Sequence, residues 1–486
     1  MKIKFAESCQ RGFDSTVSII TDQKQIKKVL AKLEIKAKAS IIKDQLKENG
    51  EMITTIDPQK GKVVFLKIDE NKCNGNSSKV IRQTLIKNRN LFGSKITFLL
   101  PDGDSESDER WARNVVRACM LSTNYLGKYK FKPNGLPRPQ DVVICTISGN
   151  VPDAGVLEEE KTIANARLEM MDLINTPSNI KTPEFIADHV ARNGKRNGYK
   201  VEVFSEKDIK KFNLAALQSV NNGSDHPPRF VICHYKPKNA GKVKTLGLVG
   251  KGVTFDTGGI SIKSSTNMHF MKSDMSGAAL VLTFTDLCAR LQLPVEVITA
   301  VPLTENMVDG SSTKPGDVVG SYIGKSIEVI DTDAEGRIIL ADGLGYLTKN
   351  YKTDAVIDFA TLTGSIIQTL GYQVAGLFSN NDELAGQLYQ AGQTTSEKCW
   401  RLPIWDHYAE DLKSDIADVK NFNGKPVAGA ITAALFLKEF TQDHPNWAHM
   451  DIAGVSFTDN EYGSMRNATG FGISLLLEFV QKNMID

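Results

Sequence analysis

The sequence predicts an α/β fold: a smaller N-terminal α/β domain and a larger C-terminal α/β domain with a mixed, mostly parallel sheet. Three observations predict it. From about residue 245 the chain repeats strand, polar cluster, helix, the order that builds a parallel sheet covered by helices. Two acid-rich clusters, Lys251 to Gly259 and Asp331 to Arg337, follow apolar runs that read as strands, and open α/β sheets bind ligands at strand ends. At 486 residues the chain is long for one hydrophobic core.

Residues 1–155 form the first predicted domain. Thr16 to Ile20, Lys62 to Ile68, Lys95 to Leu100 and Asp141 to Thr146 read as strands. Gln23 to Leu46 is helical in part, and Ser105 to Thr123 reads as a helix with an acidic first turn. The region holds no paired carboxylates, Gly-rich phosphate loop or Ser/His pairing, so it reads as a structural or regulatory domain that helps assembly. Residues 156–175 are the linking helix, ended by the turn signal Asn175-Thr176-Pro177-Ser178.

Residues 176–486 form the second domain. Thr182 caps its first helix with Pro183 at the first helical position. Val201 to Phe204 and Arg229 to Tyr235 read as strands, with helix then loop from Phe212 to Ser224 between them. Thr245 to Gly250, Pro294 to Val301, Ile327 to Ile330, Asp354 to Ala360 and Ala448 to Gly454 complete the predicted strands. Helices are expected over Gly277 to Ala289, Ile338 to Leu344, Ala428 to Phe440 and after Thr469.

The composition narrows the function classes. Hydrophobic residues make up 41% and charged ones 24%, an ordinary globular balance. A net charge of +2 implies no bulk attraction to nucleic acid or anionic membrane. The N-terminus lacks an apolar core of signal-peptide length, and no apolar run reaches membrane-spanning length. Cysteines at 9, 73, 119, 145, 233, 288 and 399 form no Cys-x-x-Cys pair, which favours a reducing, cytoplasmic setting over a disulfide framework or zinc finger.

The two clusters supply Asp256, Asp274, Asp333 and Glu335. Four carboxylates suit a pair of divalent cations, as in hydrolases with paired metals. A salt-bridged turn is the plainer reading of Asp331 to Arg337 taken alone, and a strand-to-loop turn that of Gly258-Gly259. Lys251 reads first as a counter-charge and second as an amine that loses its proton and ligates a cation. Arg337 keeps its proton and offers a fork to an anion or a developing oxyanion. Gly258-Gly259 lets the chain turn tightly beside Asp256. Asp342, Asp358 and Asp451 read as structural, and His269, between Met268 and Phe270, as a packed or surface residue. The serines at 261, 264, 265 and 276 have no His partner by spacing, which disfavours a serine triad.

At these residues the chain resembles the leucyl aminopeptidase (cytosol aminopeptidase) family. Asp331-Thr332-Asp333-Ala334-Glu335-Gly336-Arg337 is similar to its signature Asn-Thr-Asp-Ala-Glu-Gly-Arg, with Asp331 in place of Asn. Lys251 to Gly259 and Met271 to Ala279 resemble two further blocks, with Thr257 where Ser is usual and Ser276 where Gly is common. Asn175 to Pro177, Val374 to Phe378 and Trp447 to Gly454 are similar too. The likeness covers about 160–486.

The resemblance implies a hexameric two-metal aminopeptidase that removes leucine and other mainly apolar residues from peptides with a free N-terminus. It implies two divalent cations per subunit, Mn²⁺ or Zn²⁺. Lys251 and Asp274 would ligate one, Asp333 the other, and Asp256 and Glu335 both. Lys263 would polarise the scissile carbonyl, and Arg337 would hold bicarbonate as a proton shuttle. Thr361, Leu362 and Gly364 would wall the substrate cleft, with Met271 on the floor of the side-chain pocket. Some members also bind DNA, a role the charge neither supports nor excludes. A paired-metal phosphatase is the rival reading, and it would call for His or Asn ligands.

Overall fold

The computed structural model describes residues 1–9, 12–48, 52–57, 61–69, 76–132, 138–238, 241 and 243–485; Cys73 lies outside them. The chain divides into two compact units, one of residues 1–168 with 461–464, the other of residues 169–460 with 465–486. The helix Ala154–Asn175 carries the chain from the first to the second.

The first unit is built on a six-stranded sheet in the order Lys2–Phe5, Asp141–Cys145, Lys95–Leu99, Ser15–Ile20, Gly61–Lys67, Met52–Asp57. All neighbours run parallel except the last pair, a hairpin. Val17, Phe98 and Val142 face the helix Ser105–Leu121, whose Trp111, Val115 and Cys119 are buried in the same cluster. The edge strands Lys2–Phe5 and Met52–Asp57 escaped the sequence reading, because an edge strand need not carry an apolar run.

The second unit holds a nine-stranded sheet. Its centre is the parallel trio Trp447–Asp451, Ala355–Ala360 and Thr245–Gly250, extended by the parallel strand Glu296–Asn306. Antiparallel strands flank this centre, Ala375–Ser379 on one side and Arg229–Tyr235 on the other. The mixed, mostly parallel sheet predicted from the sequence is what the chain forms. The helices Ser276–Leu291 and Glu335–Asn350 are buried along nearly their whole lengths, as helices covering a parallel sheet must be.

Three local expectations need correction. Ile327 to Ile330 is not a strand of the main sheet. Only Ile327–Glu328 is extended, in a small ribbon with Val318–Val319 and Val419–Lys420, because Asn421 takes the amides of Ile330 and Asp331. Gly252–Asp256 is itself a strand, paired with the far end of Glu296–Asn306, so the Lys251 to Gly259 cluster lies partly inside a strand. Around Phe212 two helices replace one: Glu206–Lys211, closed by the capping box of Ser205 and Asp208, and Ala215–Asn221.

Candidate metal centre

The strands Thr245–Gly250 and Ala355–Ala360 lie parallel and end side by side, and the next residues, Lys251 and Thr361, begin the site. The Lys251 N–H donates to Phe359 O at 3.0 Å, and Lys251 O accepts from Ala278 N at 2.9 Å. Its backbone is therefore pinned between a neighbouring strand and the first turn of a helix. Gly336 leaves room for the Lys251 side chain: a Cβ there would meet Lys251 Nζ at 2.6 Å.

Four acidic side chains converge on two lysines. Lys251 Nζ lies 2.8 Å from both Asp274 Oδ2 and Glu335 Oε1, and it donates to Thr361 O at 3.1 Å. Lys263 Nζ lies 2.8 Å from Asp256 Oδ2 and also pairs with Asp333 Oδ1. Ligand atoms of Asp256, Asp333 and Glu335 fall within 4.8 Å of one another, close enough to share a cation. Asp274 Oδ2, Asp333 Oδ1 and Glu335 Oε1 meet the ammonium groups at ion-pair distance.

Fixed donors hold the opposite oxygens of Asp256 and Asp274. Asp256 Oδ1 accepts from Gly258 N and Asn306 Nδ2, each at 2.8 Å. Asp274 Oδ1 accepts from Thr361 Oγ1 at 2.7 Å. The turn behind Asp256 uses Gly258 and Gly259 at φ 88° and 64°, a conformation that side chains resist. Thr332 closes that turn by donating to Gly258 O at 2.7 Å and accepting from Ser261 N at 2.8 Å.

The electrostatics follow from burial and crowding. Burial raises the Asp274 carboxyl strongly and the Glu335 carboxyl as well, with neighbouring carboxylates adding to it and Lys251 opposing. Asp333 is pushed up to about 7 by burial, then by Asp256 and Glu335. Burial pulls both ammonium groups down, but the carboxylates outweigh it and keep Lys251 and Lys263 charged. Two ammonium ions thus balance a negative well that is costly to bury alone. Carboxylate oxygens with one amine and no thiol form a donor set for hard or borderline divalent cations.

The remaining predicted residues stand around this core. Arg337 is buried in the first turn of Glu335–Asn350; its Nη1 donates to Asn421 O at 2.8 Å, and its Nε has no partner among the described residues. Burial draws its guanidinium down to about 10 against the pull of Glu335, Asp451 and Asp331. Leu362 N donates to Asp451 Oδ1 at 3.1 Å, and Gly364 opens the helix Gly364–Leu370. Met271 is half-buried just before Asp274, whose amide it accepts at 3.2 Å. That backbone bond is the polar contact of Met271 with the cluster among the described bonds, and Gly364 has none. Asp331 folds onto its own loop, accepting from Asp333 N at 2.9 Å. His269 is exposed against Phe270.

Three supporting residues went unread in the sequence. Asn306 bridges Asp256 to Thr332 O. Asn421 binds the loop before Glu335. Lys181 is fully buried and donates to Ile174 O at 2.9 Å and Lys272 O at 2.7 Å, while Lys272 Nζ reaches Asn175 O at 2.9 Å. The two lysines fasten the loop that carries Asp274 to the end of the long helix. Burial, then Lys272, lowers the Lys181 amine well below the lysine range.

Buried carboxylates balanced by lysines, at the carboxyl ends of parallel strands, define the class: an α/β protein with an oxygen-rich cation centre. The chain belongs to the cytosol aminopeptidase family, whose catalytic-domain model matches residues 169–477. A probable cytosol aminopeptidase of Chlorobium luteolum is 47% identical over 411 residues, covering 81% of this chain and 80% of its own. One of Chlorobium limicola is 52% identical over 312 residues, covering 64% of this chain. The match spans only 61% of the Chlorobium limicola relative, and 63% of one from Chlorobium phaeobacteroides. Among solved structures, a mutant of tomato leucine aminopeptidase superposes with a TM-score of 0.86 at 27% identity, covering 99% of this chain and 97% of that one. The bottromycin maturation enzyme BotP in complex with Mn gives 0.82 at 29%, covering 97% and 99%.

Proposed function

We propose that the chain is a metal-dependent aminopeptidase that removes leucine and other mainly apolar residues from the free N-terminus of peptides, using two divalent cations. The observation that carries the reading is the pairing of Lys251 and Lys263 with Asp256, Asp274, Asp333 and Glu335 in one buried cluster. Lys251 and Asp274 would hold one cation, Asp333 the other, with Asp256 and Glu335 shared. Mn²⁺ and Zn²⁺ suit this donor set, and the Mn-bound relative BotP supports a divalent metal. When bound, the cations supply Lewis acidity toward the scissile carbonyl and toward water.

The chain's own groups do the rest. Lys251 gives up a proton to become a ligand, so cation uptake releases acid. Lys263, relieved of its carboxylates, keeps its charge and donates to the oxyanion that develops on the carbonyl oxygen. Arg337 has an unused, buried Nε–H. That fork suits bicarbonate, which supplies a proton shuttle when held there. Thr361, Leu362 and Gly364 would wall the cleft, and Met271 would floor the side-chain pocket. A cytoplasmic homohexamer is the assembly and setting that fit the family. Among the described residues no helix is long and apolar enough to cross a membrane.

The test is a panel of aminoacyl amides with and without N-acetylation, assayed with Mn²⁺ or Zn²⁺. The reading expects release of leucine from the free-amine substrate only. Hydrolysis of phosphate esters, or equal turnover of acetylated amides, would overturn it.

A further inference from the structure

We infer that Asn421 is a positioning residue for the cation centre, setting the turn that carries Asp333 and Glu335 and the guanidinium of Arg337. The inference rests on the two-cation reading above. Asn421 is fully buried and sits 84 to 91 residues from the partners its side chain and carbonyl bind. An amide side chain has two donors and two acceptor sites, and Asn421 uses all four on one turn. Its Oδ1 accepts from Ile330 N at 2.8 Å and Asp331 N at 3.3 Å. Its Nδ2 donates to Asp331 O at 2.6 Å and Ala334 O at 3.2 Å. Its backbone N–H donates to Glu328 O at 2.9 Å, and its carbonyl accepts from Arg337 Nη1 at 2.8 Å.

The turn needs this support for a definable reason. Backbone pairing stops at Val329, which bonds to Asp317 O and Gly316 N, and the helix begins at Glu335 under Ala334, which offers no capping side chain. The amides of Ile330 and Asp331 have no partner but Asn421 among the described bonds. Asn421 bonds to both sides of Asp333, at Asp331 and at Ala334. The Asp333 carboxylate is the most exposed of the four, at 34%, and has no hydrogen bond from a fixed donor among the described bonds. Its position therefore depends on its backbone. Asp274 and Asp256, by contrast, each have an oxygen fixed by its own donors.

The experiment compares wild type, Asn421→Asp and Asn421→Ala by Mn²⁺ titration of the metal-free chain, read by electron paramagnetic resonance well below the melting temperature. Asp keeps the shape but loses both donors and sets a carboxylate against two carbonyls. The expected result is a two-step titration in which one step weakens roughly 10- to 100-fold and the other moves little, the range seen when groups supporting metal ligands are removed. A merely structural Asn421 would lower the melting temperature and leave both steps alone; unchanged affinities in a folded Asn421→Asp chain overturn the inference. Hydrogen exchange on metal-free wild type decides the matter even where a variant does not fold. The Ile330 and Asp331 amides should be protected before any cation is added, and exchange at open-loop rates overturns the inference. A wild-type chain that binds fewer than two Mn²⁺ refutes the two-cation reading instead, so the two failures are distinct.

Discussion

The second unit buries its carboxylates in two kinds of surroundings. At the strand ends, Asp256, Asp274, Asp333 and Glu335 face the ammonium groups of two flexible lysines. Elsewhere Asp342, Asp358 and Asp451 face donors that cannot move. Asp342 accepts from Leu217 N at 2.8 Å and Tyr322 N at 2.7 Å. Asp358 accepts from Trp447 Nε1 at 2.8 Å and lies 2.5 Å from His449 Nδ1. Asp451 accepts from Leu362 N, Ala453 N and Thr363 Oγ1. Backbone and indole donors complete a carboxylate permanently. On the two-cation reading a lysine completes it only until a cation arrives, Lys263 by turning to another partner and Lys251 by losing its proton. On that reading the lysine-facing oxygen, more than the burial, separates a carboxylate kept ready for a ligand from one that only holds the fold.

Substitutions should divide along this line. The largest effect on folding is expected from Asp358→Ala, which leaves Trp447 Nε1 and His449 without their buried partner. Leaving a buried donor unsatisfied costs about 1–3 kcal/mol for each, read by chemical denaturation, while the folded fraction should still bind cations as wild type does. Wild-type stability in this variant would erase the distinction.

Lys263→Ala should do the reverse. Loss of a donor to the developing oxyanion costs about 2.7–4 kcal/mol of barrier, roughly a hundred- to thousandfold in rate. Cation content and melting temperature of the loaded enzyme should stay near wild type, whereas Asp333→Ala should lose cation as well as rate. Near-full kcat in Lys263→Ala with both cations bound would show the assigned role to be wrong.

The smallest effect concerns pH. Burial pushes the Asp342 carboxyl up to about 7 against the N–H groups of Leu217, Tyr322 and Ala216. An unfolded aspartate titrates near 4. Between those values the native chain binds the extra proton, so this group's contribution to stability is full below about pH 4 and is lost as pH rises through 7. Asp342→Asn should flatten the fall in stability across that window, measured by melting at several pH values. An unchanged slope would mean that the backbone donors hold Asp342 ionised.

Much of this was legible in the sequence, and the exceptions share a cause. Lys251, Asp256, Asp274, Asp333 and Glu335 announced themselves because charged residues next to apolar runs are improbable without a purpose. The central strands were equally plain, being apolar on both faces. Asn306, Lys181 and Asn421 were not, because their partners are backbone atoms distant in the chain. Asn421, two residues before Asn423-Gly424, signals only a turn. The strand Gly252–Asp256 was hidden by its shortness, since Lys251 and Asp256 bound a stretch, Gly252 to Phe255, that forms no apolar run.

The central claim is that the lysine-balanced carboxylates are there to take two cations. The direct measurement is stepwise addition of Mn²⁺ to the chelated, metal-free chain, with leucine release from leucinamide followed at each step. The account predicts a rate that reaches its plateau at two equivalents per chain and disappears again with chelator. A full rate at one equivalent, or in the metal-free chain, would contradict it.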